Sequence, residues 1–409
     1  MKKSLLKKYA RLLVKMGVNI QKGQDLNIYS SLEQVQLVTY VVEEAYKAGA
    51  RKVNVKWHDE GIDRLDATYR SVDTIASVEN YEIAELEYRA EHLPARLYIS
   101  SDDPDGMKGI DQEKLSKARM ARYPILKPYL DKVENKEQWC IAGASSNAWA
   151  KKIFPELSPK KAKEKLWEAI LYTSRVLEGD PISNWKKHNE NLSSRCAYLN
   201  SLHLKELHYK SSNGTDFKVG LIDDCLFEGG SEKTLGSNII FNPNIPSEEC
   251  FSSPMKGKAE GIVYATKPLS YQGQLIEDFS VRFENGKVVE VKAKKGEELL
   301  RQMISMDEGA SYLGEVALIP YNSPINNTGI LFYETLFDEN ASCHLALGAG
   351  FTNLIKDYEK YSLEELNKKG INDSMIHVDF MIGSKDMNIV GITKDNKEVQ
   401  IFKDGDWAF

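Results

Sequence analysis

An α/β domain followed by an α+β domain is predicted by three features of this 409-residue chain. The chain is longer than one ordinary hydrophobic core organises, so two domains are expected. Helix-like and strand-like segments alternate over roughly the first half, as βαβ units do. Beyond about residue 200, period-2 strands are joined by Asn-Gly pairs, the strongest short hairpin signal. The expected architecture is a doubly wound, mostly parallel sheet with helices over residues 1–190, followed by a largely antiparallel α+β domain over 191–409.

The elements follow in order. SLLKKYARLLVKMG places Leu5, Leu6, Tyr9, Leu12 and Leu13 at helical spacing, with Gly17 as its stop. QDLNIYS reads as a strand, and Ser31 is placed to cap a helix through VQLVTYVVEEAYKAGA that ends near Gly49. VNVKWHD completes a βαβ unit, which implies a parallel pair with a right-handed crossover. ARLYISS and WCIAGASS are further strands, separated by the helical ARMARYPILKPYLDKVEN. Helices are then expected over SPKKAKEKLWEAILYTSRVL and around ENLSSRCAYLNSL. In the second half, ELHYKSSNGTDFKVGLI, DFSVRFENGKVVEVKA and NIVGITKDNKEVQIF are hairpins, and GEELLRQMISMDEGA is a helix among them.

Composition narrows the function. A formal charge of −6 without a basic stripe argues against nucleic-acid binding, and KKSLLKK and SPKKAKEK read as solvated helix faces. No apolar run approaches the roughly 20 residues of a membrane span, and Arg11 and Lys15 interrupt the first apolar stretch. The five cysteines are scattered with no CxxC pair, which points to reduced thiols and a cytoplasmic setting. Asn340-Ala341-Ser342 then has no glycosylation meaning. Neither G-x-G-x-x-G between strand and helix, nor a P-loop, nor a G-x-S-x-G elbow occurs, so nucleotide binding and a serine triad have little support.

Of seven histidines, five (His58, His92, His188, His203, His208) stand in charged or helical surroundings with no evident ligand-like partner. His344 and His377 are different, because each interrupts an apolar strand and has a carboxylate nearby. In IHVDFMIG, His377 and Asp379 share a strand face by period-2 geometry. In DENASCHLALG, Glu339 precedes His344 by five positions across a turn-like Asn-Ala-Ser. Glu315 opens EVALIP, and Glu248 and Glu249 sit in the proline-stiffened NPNIPSEECFSSP. Buried carboxylates with imidazoles suit a pair of divalent cations that activate water and orient a carbonyl, with zinc or cobalt favoured by the imidazoles. A single-metal site, or a sheet with one wet face, uses the same residues. Cys250 and Cys343 adjoin candidate ligands but point to opposite strand faces, which favours core packing.

Long blocks of the sequence resemble the aminopeptidase T/aminopeptidase S family of bacterial metallo-aminopeptidases. They are LLKKYARLLVKMGVNIQKGQ, WCIAGASSNAWAKKIFPE, NIPSEECFSSP, TKPLSYQGQLIEDFSVRFENGKVVE, DEGASYLGEVALIPYNSPINNTGILFYETLFDENASCHLALG and IHVDFMIG. The resemblance implies an exopeptidase with two divalent ions (Zn, Co, Mn or Mg) that releases N-terminal residues from short peptides with broad specificity. It also implies a cytoplasmic homodimer with an internal active-site cavity. It carries metal-ligand roles to Glu249, Glu315, Glu339, His344, His377 and Asp379; among these carboxylates, Glu315 is our expected catalytic base. One position departs: where the family has a catalytic-site tyrosine, seven residues after the first ligand histidine, this chain has Phe351. A phenol can donate a hydrogen bond to a developing oxyanion and Phe351 cannot. The rival expectations are a non-catalytic metal- or peptide-binding homologue and a hydrolase of another small amide.

Overall fold

The computed structural model describes residues 1–409, which divide into two compact units: Met1–His188 with Ser231–Pro246, and Asn189–Gly230 with Ser247–Phe409. In the first unit a five-stranded parallel sheet runs in the order Lys52–His58, Asp25–Ser31, Ala95–Ser100, Trp139–Gly143, Asn244–Ile245. The order reverses at Asp25–Ser31, as in a doubly wound sheet. Leu26 and Ile28 of that strand are fully buried. Helix Lys3–Leu12 buries Leu6, Tyr9, Ala10 and Leu12, and helix Val35–Ala48 buries Leu37, Val38, Val41 and Ala45. Both sets repeat at three and four residues, the apolar stripe of a packed helix.

Local expectations fail in this unit where tertiary partners compete. The Ser31 hydroxyl does not cap the following helix. It pairs with Ser101 Oγ at 2.9 Å, and a short 3-10 turn, Leu32–Gln34, leads into the helix. The helix expected to reach Leu177 ends at Thr173. Asn244–Ile245 lies beside Trp139–Gly143, so the chain returns to this sheet after residue 230 through a pairing that no composition shift marks. No helix is long and apolar enough to cross a membrane.

The second unit contains two antiparallel sheets. The larger runs from Leu269–Tyr271 through Gln274–Glu284, Pro254–Tyr264, Asp216–Leu221, Leu204–Lys210, Asn388–Thr393 and Glu398–Lys403 to Asp406–Trp407, and Lys287–Lys295 also pairs with Gln274–Glu284. The Asn-Gly signal is realised at Asn285 and Gly286, whose φ of 50° and 79° make the left-handed turn that matches strand twist.

The smaller sheet has four strands in the order Cys250–Ser252, Leu313–Leu318, His344–Gly348, His377–Met381. Alternation gives it two chemically opposite faces. Val316, Leu318, Leu345, Leu347, Val378 and Phe380 enter the apolar core shared with the larger sheet. Glu315, Ala317, His344, Ala346, Gly348, His377 and Asp379 take the alternate positions. Gly348 has φ 110°, and a Cβ there would stand 2.0 Å from the Ile376 carbonyl oxygen. Gly348→Ala should therefore spread the strands at the Gly348–His377 pair. We expect a loss of more than about 1 kcal/mol in urea unfolding; an unchanged midpoint would mean that the strand tolerates a side chain there.

Candidate metal centre

The site begins with strand register. Ala346, in the central strand, is paired with Glu315 on one side and Asp379 on the other, and Gly348 is paired with His377. Three adjacent strands thus bring two carboxylates and two imidazoles to one face, while Ala346 and Gly348 leave the space between them unfilled by side chains. Glu249 comes from the irregular segment before Cys250–Ser252, and Glu339 from the 3-10 turn Glu339–Ala341 that leads into His344–Gly348.

The distances form two overlapping groups. His344 Nε2 lies 3.5 Å from Glu249 Oε2, 3.8 Å from Glu315 Oε1 and 3.9 Å from Asp379 Oδ1. His377 Nε2 lies 3.0 Å from Glu315 Oε2 and 3.3 Å from Asp379 Oδ1. Glu249, Glu315 and His344 can converge on one ion, and Glu315, His377 and Asp379 on another. Glu315 is common to both, with one oxygen turned to each imidazole. The Glu339 carboxyl stands close enough to Asp379, Glu249 and Glu315 to feel their charge, though it belongs to neither group.

Both imidazoles are oriented by backbone carbonyls. His344 Nδ1 bonds to Glu339 O at 2.8 Å and His377 Nδ1 to Ala349 O at 2.7 Å. A carbonyl oxygen only accepts, so each Nδ1 carries the hydrogen. When the ring is neutral, Nε2 turns its lone pair toward the carboxylates. This is the outer-shell arrangement that metal-binding histidines commonly have.

Burial makes the cluster electrostatically demanding. Glu249, Glu315, His344 and Asp379 are each less than a tenth exposed, and the His377 side chain is 28% exposed. Burial first, and then the charge of Glu315, pushes the Glu249 carboxyl up to about 8. Glu339 is also driven well above the carboxylate range, by burial and then by Asp379, Glu249 and Glu315. Burial alone would lower both histidines. The neighbouring carboxylates outweigh it, Glu315 foremost at His344, which is held at about 9, and Asp379 foremost at His377. Asp379 is lowered despite burial, because the two imidazoles face it. Asp379 Oδ1 is buried with no well-oriented hydrogen bond. Four carboxylates and two imidazoles, with a buried carboxylate oxygen lacking such a bond, are a donor set that fits divalent cations.

The other residues named from sequence are placed as follows. Glu248 is buried, and its backbone N–H donates to Asn340 Oδ1 at 2.7 Å. The Phe351 ring lies 5.0 Å from the His377 ring and 5.1 Å, edge-on, from Phe251, and it has no polar atom to offer. Cys250 and Cys343 are in the apolar core, and burial pushes the Cys343 thiol up to about 12, which removes it as a nucleophile at neutral pH. Three histidines set aside for want of partners do have carboxylates: His58 Nε2 lies 2.9 Å from Asp102, His92 Nε2 lies 3.8 Å from Glu91, and His208 contacts Glu206. The missed features are the two orienting carbonyls, the amide of Asn340 and the small residues of the ligand face. Only the last had a signal, the small residues alternating with leucine in HLALG.

The sequence pattern of the family described as "Thermophilic metalloprotease (M29)" matches residues 2–407. The chain belongs to that family. It is 42% identical over 406 residues to aminopeptidase AmpS of Bacillus subtilis, covering 99% of this chain and 98% of that protein. It is 37% identical over 404 residues to aminopeptidase T of Thermus thermophilus, covering 98% of each. The solved structure of wild-type AmpT from Thermus thermophilus superposes with a TM-score of 0.89 at 36% identity, covering 100% of both chains. A parallel α/β region with antiparallel sheets is thus the fold of the chain, and the family makes a divalent metal part of its chemistry.

Filling the space between the donors should separate metal binding from the donors themselves. Ala346→Leu keeps all six polar side chains but places an isobutyl group between Glu315 and Asp379. Metal-stripped wild type should melt at a higher temperature as zinc, cobalt or manganese is added, by mass action. The variant should show no such rise; a rise equal to that of wild type would place the ion elsewhere.

Proposed function

We propose that this protein is a two-metal aminopeptidase that releases N-terminal residues from short peptides with broad specificity. Its class, a metallo-aminopeptidase, rests on the family and on relatives named as aminopeptidases. The observation that carries the two-metal reading is the sharing of Glu315 between two convergent groups of donors. Charge supports it too. Glu249, Glu315, Glu339 and Asp379 with two neutral imidazoles carry four negative charges, which two divalent ions cancel. Two imidazolium ions would cancel only half.

In this reading Glu249 and His344 would hold one ion and His377 and Asp379 the other, with Glu315 common to both groups and the Glu339 carboxylate beside them. The ions, when bound, supply an activated water and a polarised scissile carbonyl. The protein's own groups do the rest. Backbone carbonyls fix the orientation of both imidazoles. Glu315, common to both donor groups, would help hold either ion and is the carboxylate placed to take up a proton from water. Glu248 is the carboxylate assigned to the substrate's α-ammonium group, which restricts cleavage to the first peptide bond. Zinc or cobalt suits the imidazoles best, and manganese or magnesium suits the carboxylates. On the family resemblance, the working form is a cytoplasmic homodimer whose cavity admits short peptides.

The test is hydrolysis of amino-acid p-nitroanilides and short peptides by chelated protein resupplied with each metal. Turnover should return with metal, single N-terminal residues should appear, N-acetylated peptides should stay intact, and His377→Ala should be inactive. Two bound equivalents without turnover would favour a non-catalytic homologue, and cleavage of acetylated substrates would favour another amidase. Glu315→Gln separates bridging from proton transfer: loss of one metal equivalent is expected, whereas full occupancy without turnover would make Glu315 the base alone.

Phe351 gives a further expectation. A hydroxyl on that ring would return the oxyanion donor that the family pattern has, and such a donor is worth about 10²–10³ in rate. Phe351→Tyr should raise kcat by up to that factor with little change in KM. An unchanged kcat would show that this enzyme already meets the oxyanion with another group.

A further inference from the structure

The cluster of donors has one neighbour whose chemistry the proposed reaction does not use. Asn340 is fully buried, between Glu339 and the strand that begins at His344. Its amide makes three hydrogen bonds. Oδ1 accepts from the Glu248 backbone N–H at 2.7 Å, and Nδ2 donates to Leu336 O at 3.0 Å and to Glu339 Oε1 at 3.2 Å.

We propose that Asn340 is a positioning residue for the metal centre, which ties the segment carrying Glu248 and Glu249 to the turn carrying Glu339 and aims the Glu339 carboxyl. This inference rests on the metal-centre reading above. The two segments lie 92 residues apart in sequence at this bond. Glu249 and Glu339 sit on irregular backbone, whereas Glu315, His344, His377 and Asp379 are held by strand register. Donors on loops need another constraint to stay within the tolerance that a metal requires. The amide supplies it.

Only asparagine meets the geometry. An amide has one acceptor and two donor hydrogens, and here Oδ1 meets an N–H while Nδ2 meets two oxygens. Rotating the amide by half a turn would set NH₂ against the Glu248 N–H and oxygen against two acceptors, so its orientation is determined. Aspartate would keep the bond to Glu248 but lose both donors and set a second negative charge against Glu339. Alanine would lose all three bonds. The turn itself has other anchors: the Ser323 hydroxyl donates to Ala341 O at 2.8 Å, and a Cβ on Gly383 would crowd Cys343 N at 2.6 Å. Removing the amide should therefore loosen two donors while leaving the turn in place.

Wild-type protein, Asn340→Asp and Asn340→Ala are stripped of metal and titrated with zinc and with manganese by calorimetry, with circular dichroism as the control of folding. Two equivalents are expected to bind wild type. In both variants the weaker equivalent should lose about 10–100-fold in affinity, as when an outer-shell partner of a metal ligand is removed. Activity should return toward wild type at high metal concentration, a rescue that general damage to the fold would not show. Wild-type affinities in both variants would overturn the proposal while leaving the metal centre standing. Variants that fail to fold even in excess metal would also overturn it, because the amide would then serve the fold and not the site. Failure of wild type itself to bind metal would instead refute the reading on which this inference rests.

Discussion

Like charge gathered on one face of a four-stranded sheet is the constraint on which the rest of the second unit depends. Glu315 and Asp379 flank Ala346, with Glu249 and Glu339 close by, all in an environment largely closed to water. Removing an isolated charge from water costs several kcal/mol even after relaxation, and each additional negative charge adds to the repulsion. A protein does not assemble such a cluster by accident of packing, because hydrophobic residues at the same positions would be cheaper. The raised pKa values of Glu249 and Glu339 express the same cost, since burial and neighbouring like charge both favour the neutral acid.

The apolar face of the same sheet is what makes the arrangement tenable. Val316, Leu318, Leu345, Leu347, Val378 and Phe380 alternate with the polar positions and anchor three of the four strands in the main core. The register that buries them also sets Glu315, Ala346 and Asp379 in a row. A slip of one residue would exchange the faces and send the charges into the core, so the hydrophobic pattern protects the site's geometry. Backbone carbonyls of Glu339 and Ala349 then fix the two imidazole rings, at no cost in additional side chains.

Phe351 stands at the edge of this arrangement as an apolar element where the family resemblance expects a phenol. It packs on Phe251 and His377, so the ring keeps the wall of the site intact while the hydroxyl is absent. That separates two roles, filling space beside His377 and donating a hydrogen bond, which a tyrosine performs together.

Much of this was legible in the sequence because it is local or periodic. Period-2 alternation in HVDF put His377 and Asp379 on one strand face, and Asn285-Gly286 announced its hairpin, since side-chain direction and turn handedness follow from neighbouring residues. The resemblance named the same six ligand candidates but gave no geometry for them. Tertiary structure alone decided which strands lie side by side, that Glu315 is shared by two groups, and that the buried amide of Asn340 joins Glu248 to Glu339. It also decided that Ser31 bonds Ser101 instead of capping a helix, and that Asn244–Ile245 joins the first sheet. These are contacts between residues tens to hundreds of positions apart, and their energy depends on a pairing that no short window of sequence contains.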